Sequence, residues 1–484
     1  MSMRVNNLTV TFADKVLADV AGLTFERGRP VTIVGESGSG KSLLAHAIMG
    51  TLPASLTARG SLHMDGTTYD LEDRTNRRSL WGRTMSLLPQ EPVLALDPTM
   101  RTREQVAEGA GTFRTDKRAA LHTATTLLGS LGLGPAAGAF PHTLSGGMAQ
   151  RVAFAAATIG NARVLIADEP SKGLDERARA ELASLLQRHV DGGGILITIT
   201  HDLDLARELG GDVLVMKNAH IVETGPAAAV LQNPAHPYTR RLLAAEPANW
   251  NHSWTRGGAS IETTGDPLIT ADGLTKTYGR QRLFSGLSLS VHQGERVSLS
   301  GPSGSGKTTL GNVLLRLLPP DSGRVHHADE LRGGRLQKLY QDPALAFAPG
   351  AALRHSFGDV IRRHRLDPAR LEEFMASLRL SPALLERMPG QVSGGELQRL
   401  AIIRSMLLEP ALVFADEPTS RLDLITQEET ITSLMNQVER HGCALMLVTH
   451  DRTLADAVTR RRVRLGVDAG SEATLTTPAL KTPA

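Results

Sequence analysis

Gly35-Glu36-Ser37-Gly38-Ser39-Gly40-Lys41-Ser42 decides the fold of this chain, and Gly301-Pro302-Ser303-Gly304-Ser305-Gly306-Lys307-Thr308 repeats it. Each follows an apolar stretch, residues 31–34 and 297–300, and each opens a helical pattern. Glycines let such a loop curl so that successive N–H groups point inward, and the helix N-terminus adds a dipole that favours anions. The spacing is that of a phosphate cradle. Lys41 and Lys307 then reach the β- and γ-phosphates of a nucleotide, and Ser42 and Thr308 ligate Mg²⁺. One match is compatible with an ordinary Gly-rich turn; two in the same strand–loop–helix context are not.

The repeat extends far beyond the loops. Residues 143–175 recur at 391–423, so that Glu169 becomes Glu417, and His201 becomes His450. A period near 250 residues is a domain duplication rather than a solenoid. From Lys41 to Gln90 the first copy spans 49 residues, whereas Lys307 to Gln341 spans 34, so the second copy is trimmed by 15. The extra residues of the first copy, around 60–78, read as polar turns and short strands, a peripheral hairpin. Further apolar strands are predicted at 164–167, 412–415, 195–200 and 444–449, alternating with helical stretches. That alternation predicts an α/β fold with a parallel sheet. Residues 1–245 and 268–484 form the two domains. The polar, Gly/Pro-punctuated segment 246–267 reads as a solvated linker, with Trp250 and Trp254 as candidates for local docking.

Each copy also carries an apolar run ending in Ala-Asp-Glu. Asp168 and Asp416 fall on the metal side, in part through water, and Glu169 and Glu417 are the candidates for polarising an attacking water. Alone, such a pair would be a solvated strand end. Ser145-Gly146-Gly147 and Ser393-Gly394-Gly395 stand 23 residues before these aspartates and begin helices. A serine hydroxyl and glycine N–H groups at a helix start suit a γ-phosphate.

Composition narrows the field. The chain has 484 residues, 41% hydrophobic and 21% charged, with net charge +3 and no long basic run, so nothing favours a nucleic-acid surface. Cys443 is the one cysteine, which excludes an internal disulfide, a Cys-based zinc site and a thiolate-held iron–sulfur cluster. Its apolar surroundings predict a buried, inert thiol. The N-terminus lacks an apolar signal core, and no run of about 18 apolar residues could span a bilayer. A cytoplasmic protein is expected, with any pore formed by other chains.

The SGG–ADEP combination resembles the signature and Asp-Glu elements of ATP-binding cassette ATPases, over almost the whole chain. The resemblance implies two tandem P-loop NTPase domains, each with a RecA-like parallel-sheet core, an antiparallel β region and a helical subdomain carrying the signature. It implies ATP and Mg²⁺ as ligands, Gln90 and Gln341 as Q-loop residues near the metal, and His201 and His450 as switch histidines. Asp175 and Asp423 match the D-loop aspartate. Phe12 and Tyr278 match the aromatic that stacks on adenine, although Phe12 also reads as a core aromatic. In that family each site pairs the Gly-rich loop of one domain with the signature of the other. The first D-loop, with Lys172 and Gly173, and Met148 after SGG depart from the usual pattern without removing a catalytic group.

Asn233-Pro-Ala-His-Pro-Tyr-Thr-Arg-Arg-Leu-Leu243 resembles the segment that follows the core in peptide/nickel importer ATPases. The implied partners are two transmembrane permease subunits and an extracytoplasmic substrate-binding protein, with the chain peripheral on the cytoplasmic face of the inner membrane. Peptides, nickel or metal–chelator complexes are the implied cargo. No nucleic acid and no iron–sulfur cluster are expected. An exporter ATPase and a soluble twin-cassette ATPase are the alternatives; the short linker and missing zinc cysteines count against the latter.

Overall fold

The computed structural model describes residues 2–252, 254–255, 266–279, 281–466 and 474–476. They divide into two compact units, Met1–Ala244 and Ala245–Ala484.

In the first unit the strands Val31–Gly35, Val164–Asp168 and Ile195–Ile199 are buried at every position. Such strands carry no polar face, so they belong in the middle of a sheet covered on both sides. They pair in parallel, Ile195–Ile199 lying between the other two, with Met85–Leu88 at the edge beyond Val164–Asp168. Side chains alternate between faces. Val164 and Ile166 join Leu44, Ala45 and Ile48 of the helix Lys41–Met49 on one face. Leu165 and Ala167 join Leu182, Leu185 and Leu186 of the helix Glu176–Asp191 on the other. A separate apolar cluster holds the helices Thr102–Glu108, Lys117–Ser130 and Gly146–Thr158 together.

The antiparallel region is a long hairpin, Ser2–Phe12 with Lys15–Glu26, extended by Thr57–Met64 and Thr67–Asp70. Its strands alternate buried and exposed residues, as sheets with one wet face do. Asp212–Lys217 and His220–Pro226 link both regions into one ten-stranded sheet.

The second unit repeats the core with Leu336–Leu339, Leu412–Asp416, Ala444–Val448, Arg296–Ser300 and Arg461–Arg464 as parallel neighbours, and Thr474–Thr476 antiparallel at the edge. Its antiparallel part is a separate sheet of Gln281–Val291, Ile269–Tyr278 and Ser322–His327. The trimmed residues correspond to the outer strand Thr67–Asp70 and the return that follows it. Only the strand is peripheral. The return carries Arg77, fully buried, whose guanidinium donates to the carbonyls of Asp70 (2.6 Å) and Leu71 (3.2 Å), and to Ala47 at the end of the helix Lys41–Met49 (3.4 Å). Trp81 Nε1 donates to the Met49 carbonyl at 2.9 Å. Late helical carbonyls need such donors. In the second unit His327 takes this place, its Nε2 lying 2.7 Å from the Leu314 carbonyl.

The segment expected to be a solvated linker is anchored where it begins. Trp254 is 2% exposed and Trp250 8%, both within the core cluster that contains Leu400, Leu434 and Leu445 of the second unit. His252 stacks on Trp254 (4.9 Å between ring centres) and its Nε2 lies 3.1 Å from Glu428 Oε1. Two indoles bury more apolar surface than polar neighbours can hold in water. Residues 256–265 lie outside the described residues. Cys443 is buried, and burial pushes its thiol up to about 12, in line with an inert role.

Candidate nucleotide sites

Both Gly-rich loops join a buried strand to a helix. At Gly40 the backbone is left-handed (φ 98°), and a Cβ there would stand 2.3 Å from the Leu17 carbonyl oxygen. Only glycine permits both conditions. Lys41 Nζ donates to the carbonyls of Gly35 (2.8 Å) and Glu36 (2.7 Å), and Lys307 Nζ to those of Gly301 (2.8 Å) and Pro302 (2.9 Å). Each ammonium is therefore held inside the curl of its own loop.

The hydroxyl after each lysine meets the strand-end aspartate. Ser42 Oγ donates to Asp168 Oδ1 at 3.0 Å and Thr308 Oγ1 to Asp416 Oδ1 at 3.1 Å. These residues are 126 and 108 positions apart in sequence. A hydroxyl and a carboxylate side by side form the hard-oxygen corner that Mg²⁺ uses together with phosphate and water. Burial pushes Asp168 above its ordinary value, against the Ser42 hydrogen bond that opposes it. Burial does the same at Asp416, opposed chiefly by Lys338, whose Nζ lies 3.7 Å from Oδ2.

Glu169 and Glu417 share an uncommon backbone, left-handed at φ 46° and 45°. Each N–H is used by the neighbouring strand, bonding to Ile199 O at 2.7 Å and to Val448 O at 2.9 Å. A non-glycine residue in this region costs on the order of 1 kcal/mol, and both copies carry that strain at the same place. The twist turns each carboxylate toward the histidine that follows the next strand. His201 Nδ1 lies 2.7 Å from Glu169 Oε2, and His450 Nδ1 lies 3.4 Å from Glu417 Oε2. Burial raises the two carboxyls, but the charge and hydrogen bond of the partner histidine outweigh it, and both sit below the ordinary value. Burial lowers the histidines, and the glutamates reverse this, leaving both above theirs. Each contact favours the ionised carboxylate and the protonated imidazole over their ordinary balance. Gln341 Nε2 donates to Glu417 Oε2 at 3.2 Å, while Gln90 is exposed at the end of the strand Met85–Leu88.

Ser145 and Ser393 cap the helices Gly146–Thr158 and Gly394–Met406 by accepting from Met148 N and Glu396 N. The unusual Met148 has a consequence: Ser393 Oγ donates to Glu396 Oε2 at 2.6 Å, and the first copy has no carboxylate at that place. Gly147 and Gly395 are packing glycines, because a Cβ would come to 3.1 Å of Ala178 Cβ and 2.3 Å of Thr426 Cγ2. A Cβ at Gly146 would meet nothing within 4 Å, so nothing within the unit demands that glycine. Asp175 and Asp423 cap the helices Glu176–Asp191 and Leu424–Arg440, accepting from Ala178 N (2.9 Å) and Thr426 N (3.0 Å).

Phe12 is 52% exposed and Tyr278 53%. Neither is a core aromatic; both stand at the tips of the antiparallel hairpins, with Lys276 Nζ over the Tyr278 ring, 5.9 Å from its centre.

Sequence reasoning missed Tyr238, read only as part of the post-core segment. It is buried in the helix Pro237–Ala244, and its hydroxyl accepts from Glu36 N at 2.9 Å, inside the first Gly-rich loop. Lys217 Nζ lies over its ring, 4.8 Å from the centre. The separation of 202 residues left no local signal for this contact. Arg77 and Lys338 were missed for the same reason.

A family model described as ABC transporter matches residues 18–172 and 284–420. The peptidoglycan transport ATP-binding protein YejF of Agrobacterium fabrum is 32% identical over 94% of this chain and 89% of its own length. The glutathione import ATP-binding protein GsiA of Escherichia coli K12 is 31% identical over 95% and 84%. Among solved structures, one described as RNase-L Inhibitor aligns over 98% of this chain and 89% of its own, with TM-score 0.66 and 21% identity, a likeness of fold alone.

Proposed function

The chain belongs to the ABC transporter family, and on that premise we propose that it is the ATP-hydrolysing component of a peptide-type importer. It binds ATP and is an ATPase, with two cassettes in one chain. In the proposed assembly it works on the cytoplasmic face of a membrane with two permease subunits and an extracytoplasmic binding protein. No helix among the described residues is long and apolar enough to cross a membrane. A pore would therefore come from partner chains.

The observation that carries the reading is that both units build the same set of groups: a loop lysine, a hydroxyl on an aspartate, and a glutamate in contact with a histidine. Mg²⁺, bound with ATP, supplies charge neutralisation on the phosphates. Lys41 and Lys307 hold the phosphates against the loop N–H groups. Ser42, Thr308, Asp168 and Asp416 offer the oxygens for the metal. Glu169 and Glu417, kept ionised, accept a hydrogen bond from water and orient it, while His201 and His450 stand where a γ-phosphate oxygen could take over their Nδ1 contact. Phe12 and Tyr278 offer ring faces to adenine.

The importer assignment draws on the post-core segment 233–243 and on relatives named for peptidoglycan transport and glutathione import. Those names favour peptide-like cargo over nickel. Two exposed leucines support a docking surface beside the sites: Leu94 (79% exposed) and Leu345 (69%) stand four residues after Gln90 and Gln341.

Glu169→Gln combined with Glu417→Gln tests the chemistry. Hydrolysis should fall by about 10²–10⁴ while ATP binding persists; undiminished hydrolysis rejects the catalytic assignment. Affinity purification from detergent-solubilised membranes tests the partners. A multi-spanning protein should accompany the chain, and its repeated absence removes the transport reading.

A further inference from the structure

The two sites differ at one buried charge. In the second unit Lys338 lies on the strand Leu336–Leu339, paired with Phe414 of the strand Leu412–Asp416. The first unit has Leu87 paired with Ile166 in the same register. Lys338 is 11% exposed at its side chain, and its ammonium donates to Asn312 Oδ1 at 2.8 Å and lies 3.7 Å from Asp416 Oδ2. Tyr340 and Phe414 present ring faces to it at 5.1 and 5.8 Å. Pro89 and Ile166 occupy those positions in the first unit, and His46 that of Asn312.

The neighbourhood is built around this arrangement. Phe414 fits only because residue 311 is glycine, since a Cβ there would stand 2.0 Å from Phe414 Cζ; the first unit has Ala45. Two aromatic faces, an amide oxygen and a carboxylate are the surroundings that hold an ammonium. The carboxylate is the one whose other oxygen accepts from Thr308. A fixed positive charge thus stands beside the second unit's metal corner, where the first unit has Leu87 in the same strand register and His46 in place of Asn312.

Resting on the reading that these loops bind Mg²⁺–nucleotide, we propose that Lys338 is a resident cation of the second site. It shares Asp416 with the divalent ion and makes nucleotide binding there far less dependent on Mg²⁺ than at the first site. Like charges a few ångströms apart repel, so the metal gains less from Asp416 when Lys338 is present. A nucleotide without its metal, by contrast, meets the Lys338 ammonium at the second site, where the first has the uncharged Leu87.

The experiment uses the full chain with one loop disabled at a time, Lys41→Ala to observe the second site and Lys307→Ala to observe the first. MANT-ATP binding is measured by fluorescence in EDTA and in Mg²⁺. Adding Mg²⁺ should tighten the first site at least about tenfold more than the second. Lys338→Met keeps the stem against Phe414 and Tyr340 and removes the charge. It should weaken MANT-ATP binding in EDTA and restore the gain on adding Mg²⁺; Lys338→Arg should behave as the parent.

Equal Mg²⁺ dependence of the two sites, or a Lys338→Met chain that folds and shows the parent's dependence, overturns the proposal. If Lys338→Met fails to fold, the comparison of the two sites alone decides. Absence of MANT-ATP binding at both sites in either condition overturns the nucleotide reading instead, and the proposal with it.

Discussion

Tyr238 Oη accepts a 2.9 Å hydrogen bond from the backbone N–H of Glu36, tying the helix Pro237–Ala244 to the first phosphate loop. The second loop has Pro302 at the corresponding place, which has no N–H to give. The donor is therefore present in the first loop and absent from the second.

Removing the acceptor should loosen only the first loop. Tyr238→Phe keeps the ring under Lys217 and deletes one buried hydrogen bond, a loss of about 1 kcal/mol. Nucleotide affinity at the first site should drop several-fold, with the second unchanged, in single-site binding titrations. Glu36→Pro removes the donor, and adding Tyr238→Phe to it should cost nothing more. Additive losses in that cycle would show that the bond does not act on the loop.

The Glu–His pairs predict a pH window. The histidines lie above the ordinary 6.5, so their contribution to stability is complete below 6.5 and disappears as pH rises through the folded-state value. The glutamates lie below the ordinary 4.5, so theirs is present above 4.5 and is lost as pH falls through the lower folded-state value. Urea unfolding should give a more stable protein at pH 6 than at pH 8.5. In His201→Asn with His450→Asn that difference should shrink, and an unchanged difference would place the alkaline loss elsewhere.

The paired signature glycines should separate folding from turnover. Gly395→Ala drives a methyl into Thr426 Cγ2 and should lower stability by about 1–3 kcal/mol. At Gly394 the nearest atom to a new Cβ is Leu422 Cδ2 at 3.9 Å, so Gly394→Ala should melt like the parent. Its ATPase activity should nonetheless fall, because the added methyl stands where a phosphate would approach. Thermal unfolding beside an ATPase assay distinguishes the two; equal behaviour in both measurements contradicts the division.

Trp254 should behave as a core residue of the second unit rather than as part of a tether. Trp254→Ala leaves a cavity beside His252 and Trp250 and should cost about 3–5 kcal/mol in denaturant unfolding. A variant as stable as the parent would return the segment to solvent.

Much of the chain was legible before any coordinates. The phosphate loops, the Asp-Glu strand ends and the SGG helix caps are local patterns, complete within about ten residues, because backbone curl, strand burial and helix capping are set by near neighbours. Six core strands fell within a few residues of their expected places, since a strand buried on both faces is predominantly apolar. Duplication then supplied an internal control that a single motif lacks.

Tertiary structure decided what depends on distant residues meeting. It brought Tyr238 to Glu36, Arg77 to the end of the phosphate-loop helix, and Lys338 to Asp416. It drew Trp250 and Trp254 out of an otherwise polar segment into a core. Sequence spacing carries no information about such contacts, because a hydroxyl, a guanidinium or an indole shows its role only when packing has fixed its neighbours and excluded water.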